Sequence, residues 1–242
     1  MILLDWTRMG RTYCVAGAVV QDGQWRIVRP MLTKFREAPV RNVGWSAYLM
    51  DGHARWELME LIGVQPAAPE PPHLEDVWVR AMKSKRSSAS PEQRRSILAA
   101  TTVPEDEPIF GADTESMRTA AYIQPGSGTR SLATIVVPIE GIRFDAVWRE
   151  GTPKSDIRVK LPLPKVGIRS LPVKDHLLLR KAERASPDED QQVRFLTVAV
   201  QEMGEQVAVR LGLSRPFAGQ VNQPSVCWVM ADGFFSMVDP QP

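Results

Sequence analysis

Apolar and polar positions alternate along the first thirty residues, and this period of two is typical of β-strands. Three apolar runs follow one another, namely MILLD at 1–5, YCVAGAVV at 13–20 and WRIVRP at 25–30. Between the second and third runs lies the dipeptide Asp22-Gly23, which tolerates the positive φ angles of a tight hairpin turn. The pattern therefore predicts a three-stranded meander.

The middle of the chain is less regular. Residues 54–63 fit a strand as well as a helix, and the pattern leaves both open. The segment QPAAPEPP at 65–72 is rich in proline, which removes a backbone donor and fixes φ, so a loop or linker is predicted. The sequence SPEQ at 90–93 combines an N-cap serine, a first-turn proline and a capping-box glutamine, and it predicts a helix over 91–100.

The C-terminal half is rich in β-branched residues from about residue 118 onward, which favours further strands. Three runs near the end predict strands, namely RFLTVAVQEM at 194–203, EQVAVRLGL at 205–213 and SVCWVMADGFFSM at 225–237. The whole pattern predicts a mostly β chain with minor α content and one short helix.

Composition narrows the functional classes. The 242 residues carry a formal net charge of +2, so no global field attracts nucleic acid and any polyanion site has to be local. Cys14 and Cys227 lack the spacing of a zinc site or a disulfide framework, which fits a reducing cytoplasm. Because no signal peptide or long apolar run is present, we expect a cytoplasmic protein without a membrane contact. We also expect no cofactor and no bound metal.

Four segments carry a resemblance to a known family: LLDWTRM at 3–9, WRIVRP at 25–30, PPHLEDVWV at 71–79 and VRLGLSRPF at 209–217. Their order and spacing resemble those of the dual OB-containing domain, a prokaryotic family. The resemblance implies two OB-like β-barrels packed together, with the one short helix between or beside them. We accordingly expect a first barrel over residues 1–112, which includes the helix near 91–100, and a second barrel over residues 113–242.

The same resemblance implies a function. Members of the family are proposed to recognise nucleic acid or nucleotides and are associated with bacterial conflict systems. The chain has no G-x-S-x-G, Walker-type or H-E-x-x-H motif, so a non-enzymatic role is favoured. We therefore expect a nucleic-acid-binding or nucleotide-binding module that serves as an accessory or sensor component of a prokaryotic defence system. A protein-interaction adaptor subunit of a multi-protein complex is an alternative.

The stretch RLGLSRPF at 210–217 is the main candidate site. On a strand, Arg210 and Gly212 share one face, so the backbone at the glycine is open to a ligand, and Arg215 offers a guanidinium fork to phosphate. Alternatively, Arg215 pairs with a carboxylate at a barrel corner and Gly212 relieves curvature. The residues assigned to nucleic-acid or anion binding are Arg8, Arg29, Lys83, Lys85, Arg86, Arg210, Gly212, Ser214 and Arg215.

Three further groups each leave two interpretations open. Asp5 and Thr7 orient a loop, or Asp5 pairs with Arg8 or Arg29. The basic stretch that holds Lys83, Lys85 and Arg86 either binds phosphates or forms a solvated surface. Tryptophans either fill the core or stack on bases; the four considered are Trp25, Trp45, Trp78 and Trp228.

The segment around residue 75 holds the densest group of histidine and carboxylate side chains. His73, Glu75 and Asp76 either connect the two domains through hydrogen bonds or, together with Asp5, bind a divalent cation. The second interpretation predicts a metal-dependent nuclease as the alternative function. Metal sites need more ligands than this cluster offers, so the connecting role is favoured.

Overall fold

The computed structural model describes residues 1–9, 12–33, 45–46, 50, 52–148, 156–218 and 224–238, without the side chains of Arg8 and Met9. Strands account for 51% and helices for 19% of the structure, so the prediction of a mostly β fold is confirmed. None of the helices in these ranges is both long and apolar enough to cross a membrane.

Helices of 10 to 13 residues interrupt the succession of strands at two places in the described ranges. The strands are β1 (Ile2–Met9), β2 (Thr12–Gln21), β3 (Gln24–Leu32), β4 (Trp45–Ser46), β5 (Glu57–Ile62), β6 (Gln65–Pro66), β7 (Asp76–Val79), β8 (Ala81–Ser88), β9 (Glu115–Met117), β10 (Ala120–Ile123), β11 (Leu132–Pro138), β12 (Arg143–Val147), β13 (Asp156–Leu163), β14 (Gly167–Pro172), β15 (Gln206–Leu213), β16 (Phe217–Ala218) and β17 (Ser225–Ser236). The helices are α1 (Pro91–Thr101), α2 (His176–Ala185) and α3 (Glu189–Gln201), and a 3-10 turn covers Ile139–Gly141.

The first sheet has the strand order β6-β7-β3-β2-β1-β5-β8, with β4 paired to β2, and it curls into a half-barrel. Its centre is the predicted three-stranded meander, which is confirmed. Asp22 and Gly23 have φ angles of 52° and 75° at the β2-β3 turn, as a tight two-residue hairpin requires. Residues 54–63, which the sequence left open between strand and helix, contain strand β5.

Two further sheets form the C-terminal half. One has the order β11-β15-β17-β10-β9, with β16 beside β17, and the other is the meander β12-β13-β14. The long strands β15 and β17 coincide with two of the three strands predicted near the C-terminus, so those two predictions are confirmed.

Helix α1 begins where the sequence predicts it. Ser90 accepts a hydrogen bond from the backbone N–H of Gln93, while the Gln93 side chain accepts one from the backbone N–H of Ser90. This reciprocal capping box satisfies two amide groups that would otherwise lack partners at the helix start.

The prediction of a single short helix, with a strand over 194–203, is wrong. Residues 194–201 belong to α3, whose N-cap Asp188 accepts a hydrogen bond from the backbone N–H of Gln191. Leu196 and Val200 are both fully buried, and their spacing of four residues is that of one helix face. Burial of this face outweighed the weak strand preference of the β-branched residues around it.

A shared apolar core connects the first sheet to the second. One cluster combines Ile2 and Leu4 of β1 with Ala208 of β15 and Phe235 of β17, and α1 packs against it. Two other clusters fill the inside of the curled first sheet and the space between the C-terminal sheets and α2 and α3. The two halves therefore bury apolar surface against each other.

Replacing the N-cap of α1 tests its contribution. Ser90→Ala removes one half of the capping box, and we expect the free energy of unfolding to fall by about 1 kcal/mol in urea denaturation. Ser87→Ala changes an exposed serine just before the same helix and serves as the control. An equal loss in both variants would contradict the role of the cap.

Candidate functional site

Charged side chains are buried or half-buried where the first and second sheets meet. We use the name ionic junction for Asp5, Arg29, Arg55, Glu75, Asp76, Asp175, Arg210, Arg215 and Asp232. Removing charges from water is unfavourable unless each finds a partner, so this concentration requires an explanation from the surrounding contacts.

The parallel pairing of β3 with β7 positions the first part of the junction. It aligns Arg29 with Asp76, and the backbone N–H of Arg29 donates to the Glu75 carbonyl at 2.8 Å. The Arg29 guanidinium lies 3.3 Å from Asp76 Oδ1 and 3.0 Å from His73 Nδ1, and it also donates to the Ser131 hydroxyl. One arginine thus holds together β7, the segment before it and the start of β11.

Glu75 also connects the two halves, but as a hydrogen-bond acceptor, whereas Arg29 is a donor. Its Oε1 accepts from the backbone N–H groups of Ser131 at 2.6 Å and Leu132 at 3.1 Å, and its Oε2 accepts from the Ser131 hydroxyl at 2.9 Å. The carboxylate is therefore fully used in fixing the start of β11.

Asp5 and Arg210 form the centre of the junction. Arg210 Nε lies 3.7 Å from Asp5 Oδ2, and both side chains are almost inaccessible to solvent. The sequence suggested Arg8 or Arg29 as the ion-pair partner of Asp5, but the arginine in contact comes from β15, because β1 packs on the second sheet there.

A β-bulge brings Asp232 to the same place. Arg210 pairs with Gly233 and Leu211 pairs with Ala231, so Asp232 is the extra residue of β17. Its carboxylate covers Gly212, where an added Cβ would lie only 1.8 Å from Asp232 Oδ2. The backbone at Gly212 is thus covered by a side chain of the protein itself and is not open to a ligand as the sequence suggested.

Arg55 and Asp175 complete the junction at the start of α2. Arg55 donates to Asp175 Oδ2 at 2.9 Å and to the carbonyls of Leu4 and Phe234, each at 3.0 Å. Asp175 is also the N-cap of α2, because its Oδ1 accepts from the backbone N–H of Leu178.

Burial changes the protonation of several groups in this region. Desolvation raises the pKa of Asp5 to about 6, although the guanidinium groups of Arg210 and Arg55 oppose it. Desolvation also raises the pKa of Asp232 and of the Cys14 thiol above their ordinary values. Burial, reinforced by Arg29 and Arg215, lowers the pKa of His73 to about 2, so its imidazole is neutral at physiological pH.

The residues predicted to bind anions therefore lie in different environments. Arg29 and Arg210 are buried and make ion pairs inside the protein, which keeps them out of reach of a phosphate in solvent. Ser214 is also buried, and its hydroxyl accepts from the backbone N–H of Trp228. Thr7 is buried and forms a β-bridge with Asp175, and the side chain of Arg8 lies outside the described part.

Arg215 differs from the other two arginines because 27% of its side chain is exposed. Its Nη2 donates to Asp76 and also contacts the Met31 sulfur at 3.5 Å. A buried carboxylate thus orients a guanidinium group that still reaches the surface.

The geometry around residue 75 does not resemble a metal site. His73 and Asp76 contact arginines, and the Glu75 oxygens accept hydrogen bonds from Ser131 and Leu132. Across the described ranges, no group of three or more His, Cys, Asp or Glu residues is arranged to hold a metal ion.

An exposed basic surface lies on β8. Glu57 pairs with Ser88 and Met59 with Ser84, so residues 85–87 form a bulge, and Arg86 has a φ angle of 53°. The three predicted basic residues Lys83, Lys85 and Arg86 are all exposed here, and Lys85 forms an ion pair with Glu60 at 2.5 Å.

A row of aromatic rings lies on the second sheet beside Arg215. The Trp228 ring centroid is 5.6 Å from that of Tyr122 and 6.4 Å from that of Phe217, and Phe217 is 43% exposed. Trp228 Nε1 donates to the Phe217 carbonyl at 3.1 Å, which fixes the indole orientation. We use the name aromatic row for Tyr122, Trp228 and Phe217.

The sequence pointed to only part of this row. Trp228 was among the four tryptophans considered for stacking, but Tyr122 and Phe217 were not. Trp45 is buried, with its Nε1 donating to the Pro30 carbonyl, so it fills the core. The sequence SRPF at 214–217 could have indicated Phe217, since it places this aromatic residue two positions after an arginine.

The central ion pair can be tested with a double-mutant cycle. Arg210→Leu leaves Asp5 buried without its partner, so we expect the free energy of unfolding at pH 7 to fall by about 3 to 5 kcal/mol. Adding Asp5→Asn to the same variant should recover a substantial part of this loss. The control is Arg143→Leu at an exposed position, and strictly additive losses in the double variant would contradict the pairing.

Comparisons with known proteins gave no match to a protein family, to a curated protein or to a solved structure.

Proposed function

We propose that this chain is a non-enzymatic module that binds single-stranded nucleic acid or nucleotides, with bases on Phe217 and Trp228 of the aromatic row and a phosphate on Arg215. The observation that carries the proposal is the position of the partly exposed Arg215 two residues before Phe217, whose exposed ring packs against the half-buried ring of Trp228. Stacking on aromatic rings combined with a nearby cation is the usual way in which proteins hold unpaired bases.

The rings are suited to stacking because their orientation is fixed before a ligand arrives. The hydrogen bond from Trp228 to the Phe217 carbonyl and the edge contact between Trp228 and Tyr122 both restrict ring movement. A fixed ring loses less conformational entropy on binding than a mobile one. Every base has a π-face, so such a row favours unpaired bases with little sequence preference.

Arg215 is suited to phosphate for a similar reason. Its hydrogen bonds with described residues use Nη2, and 27% of the side chain remains exposed. A planar guanidinium offers several N–H donors and binds phosphate oxygens in pairs. The exposed cations on β8 add a second positive surface that would attract a polyanion.

The curled first sheet also supports the proposal, since it is compatible with an OB-like barrel and such barrels bind oligonucleotides. We extend the proposal to two OB-like barrels and to an accessory or sensor role in a prokaryotic defence system. Both extensions depend on the sequence resemblance to the dual OB-containing domain.

Removing the most exposed ring of the aromatic row tests the stacking surface. We expect Phe217→Ala to weaken binding of a short fluorescent oligothymidylate by about 5- to 150-fold in fluorescence anisotropy at low salt. Trp148→Ala removes a ring that is 67% exposed elsewhere and should leave the affinity unchanged. Equal affinities for wild type and Phe217→Ala, or no binding by the wild type at low salt, would contradict the proposal.

The basic surface on β8 predicts a salt dependence. Replacing Lys83, Lys85 and Arg86 together with alanine should reduce the slope of log K against log salt by about 2, because each phosphate contact on a single strand contributes about 0.7. The control removes three exposed cations of the C-terminal half, Lys160, Lys181 and Arg184. The same change of slope in both variants would show that only total charge matters.

A further inference from the structure

The charges of the ionic junction do not balance. It contains five carboxylates, from Asp5, Glu75, Asp76, Asp175 and Asp232, and four guanidinium groups, from Arg29, Arg55, Arg210 and Arg215. Asp76, Asp175 and Asp5 each form ion pairs with these arginines, and Glu75 accepts three hydrogen bonds. Asp232 forms no ion pair with a described residue, although it is only 4% exposed.

Unpaired polar atoms concentrate at the same point. Buried atoms without a hydrogen-bond partner among the described residues include Asp5 Oδ2, Asp232 Oδ1, and Nε and Nη1 of Arg210. These side chains come from β1, β17 and β15, so they lie on the surfaces through which the two sheets contact each other. A buried polar atom without a hydrogen-bond partner is unfavourable. A proton on one of the two carboxyl groups would allow that group to donate a hydrogen bond.

We propose that Asp5 and Asp232 form a proton-dependent clasp between the two sheets, which is tight while one proton is retained there and loosens when that proton is lost. The proton converts one of the two carboxylates into a donor and removes one negative charge from the buried centre of the junction. Its loss leaves an additional negative charge in a region that water does not reach.

The surroundings of Asp232 include charges of both signs. Asp5 faces it from β1, Arg29 from β3, Arg210 from β15 and the thiol of Cys14 from β2. Lys174 and Asp175 face it from the segment between β14 and α2, and the backbone of Lys174 donates to the Ala231 carbonyl. Desolvation, followed by repulsion from Asp5, raises the pKa of Asp232 well above its ordinary value of 3.8 despite the cations nearby.

The direction of the pH dependence follows from this. Folded protein keeps the Asp232 proton when the unfolded chain has lost it, so stability falls as the pH rises from 3.8 until the folded pKa is passed. Asp5 acts in the same direction between pH 3.8 and about 6. His73 acts oppositely, since its lowered pKa makes stability rise with pH up to its unfolded value of 6.5. Asp5 and His73 are present in both the wild type and a variant that lacks only the Asp232 carboxyl group, so a comparison of the two isolates the contribution of Asp232.

The experiment compares urea unfolding of the wild type and Asp232→Asn from about pH 4 to about pH 8. We expect the unfolding equilibrium constant of the wild type to increase, relative to the variant, by up to about tenfold per pH unit. Asp22→Asn serves as the control, because asparagine also tolerates the positive φ of this turn residue, and it should keep the wild-type slope. Equal slopes for the wild type and Asp232→Asn would overturn the proposal.

A second measurement does not depend on whether the variant folds. The carboxyl carbons of the wild type, labelled with 13C at aspartate, are followed by NMR as the pH changes. We expect one aspartate carboxyl signal to remain at its protonated chemical shift at pH 7. If every aspartate carboxyl signal is at its ionised shift at pH 7, no proton is retained and the clasp is excluded.

Discussion

The burial of charge between the two sheets is the constraint on which the arrangement of this protein depends. The pairs Asp5 with Arg210, Asp76 with Arg215 and Arg55 with Asp175 each join a residue before position 112 to one after it. Buried ion pairs add little net stability, but an unpaired buried charge is strongly unfavourable. A shift of one sheet along the other would break several pairs at once, so the junction selects one register from those that the apolar contacts alone would allow.

Backbone irregularities next to the junction make this arrangement possible. The bulge in β1 inserts Leu4 just before Asp5, and the bulge in β17 inserts Asp232 itself. Each bulge turns side chains relative to the regular alternation of its strand. In β15 the alternation is kept, with Val209 and Leu211 in the apolar core and Arg210 on the opposite face. The bulged strands β1 and β17 therefore place Asp5 and Asp232 on the side of the sheets where the regular strand β15 places Arg210.

Local signals in the sequence predicted local structure well and long-range contacts poorly. The β2-β3 hairpin and the capping box of α1 depend on residues within a few positions of each other, and both are as expected. Helix α3 was missed because its β-branched residues favour strands, although its N-cap Asp188 was visible. The partner of Asp5 lies at the other end of the chain, and no local pattern distinguishes Arg210 from Arg8 or Arg29. Whether an arginine is exposed depends on contacts with residues that are far away in the sequence.

The double pairing of Asp76 allows one residue to belong to both the ionic junction and the proposed binding surface. Its carboxylate contacts Arg29 inside the protein and Arg215 at the surface. If a phosphate draws Arg215 toward solvent, Asp76 keeps Arg29 as its cation and is not left buried as an unpaired charge. The energetic penalty that normally accompanies the opening of a buried ion pair is therefore small here. An arginine fixed by a carboxylate that has a second partner is oriented in advance and yet remains available to a ligand.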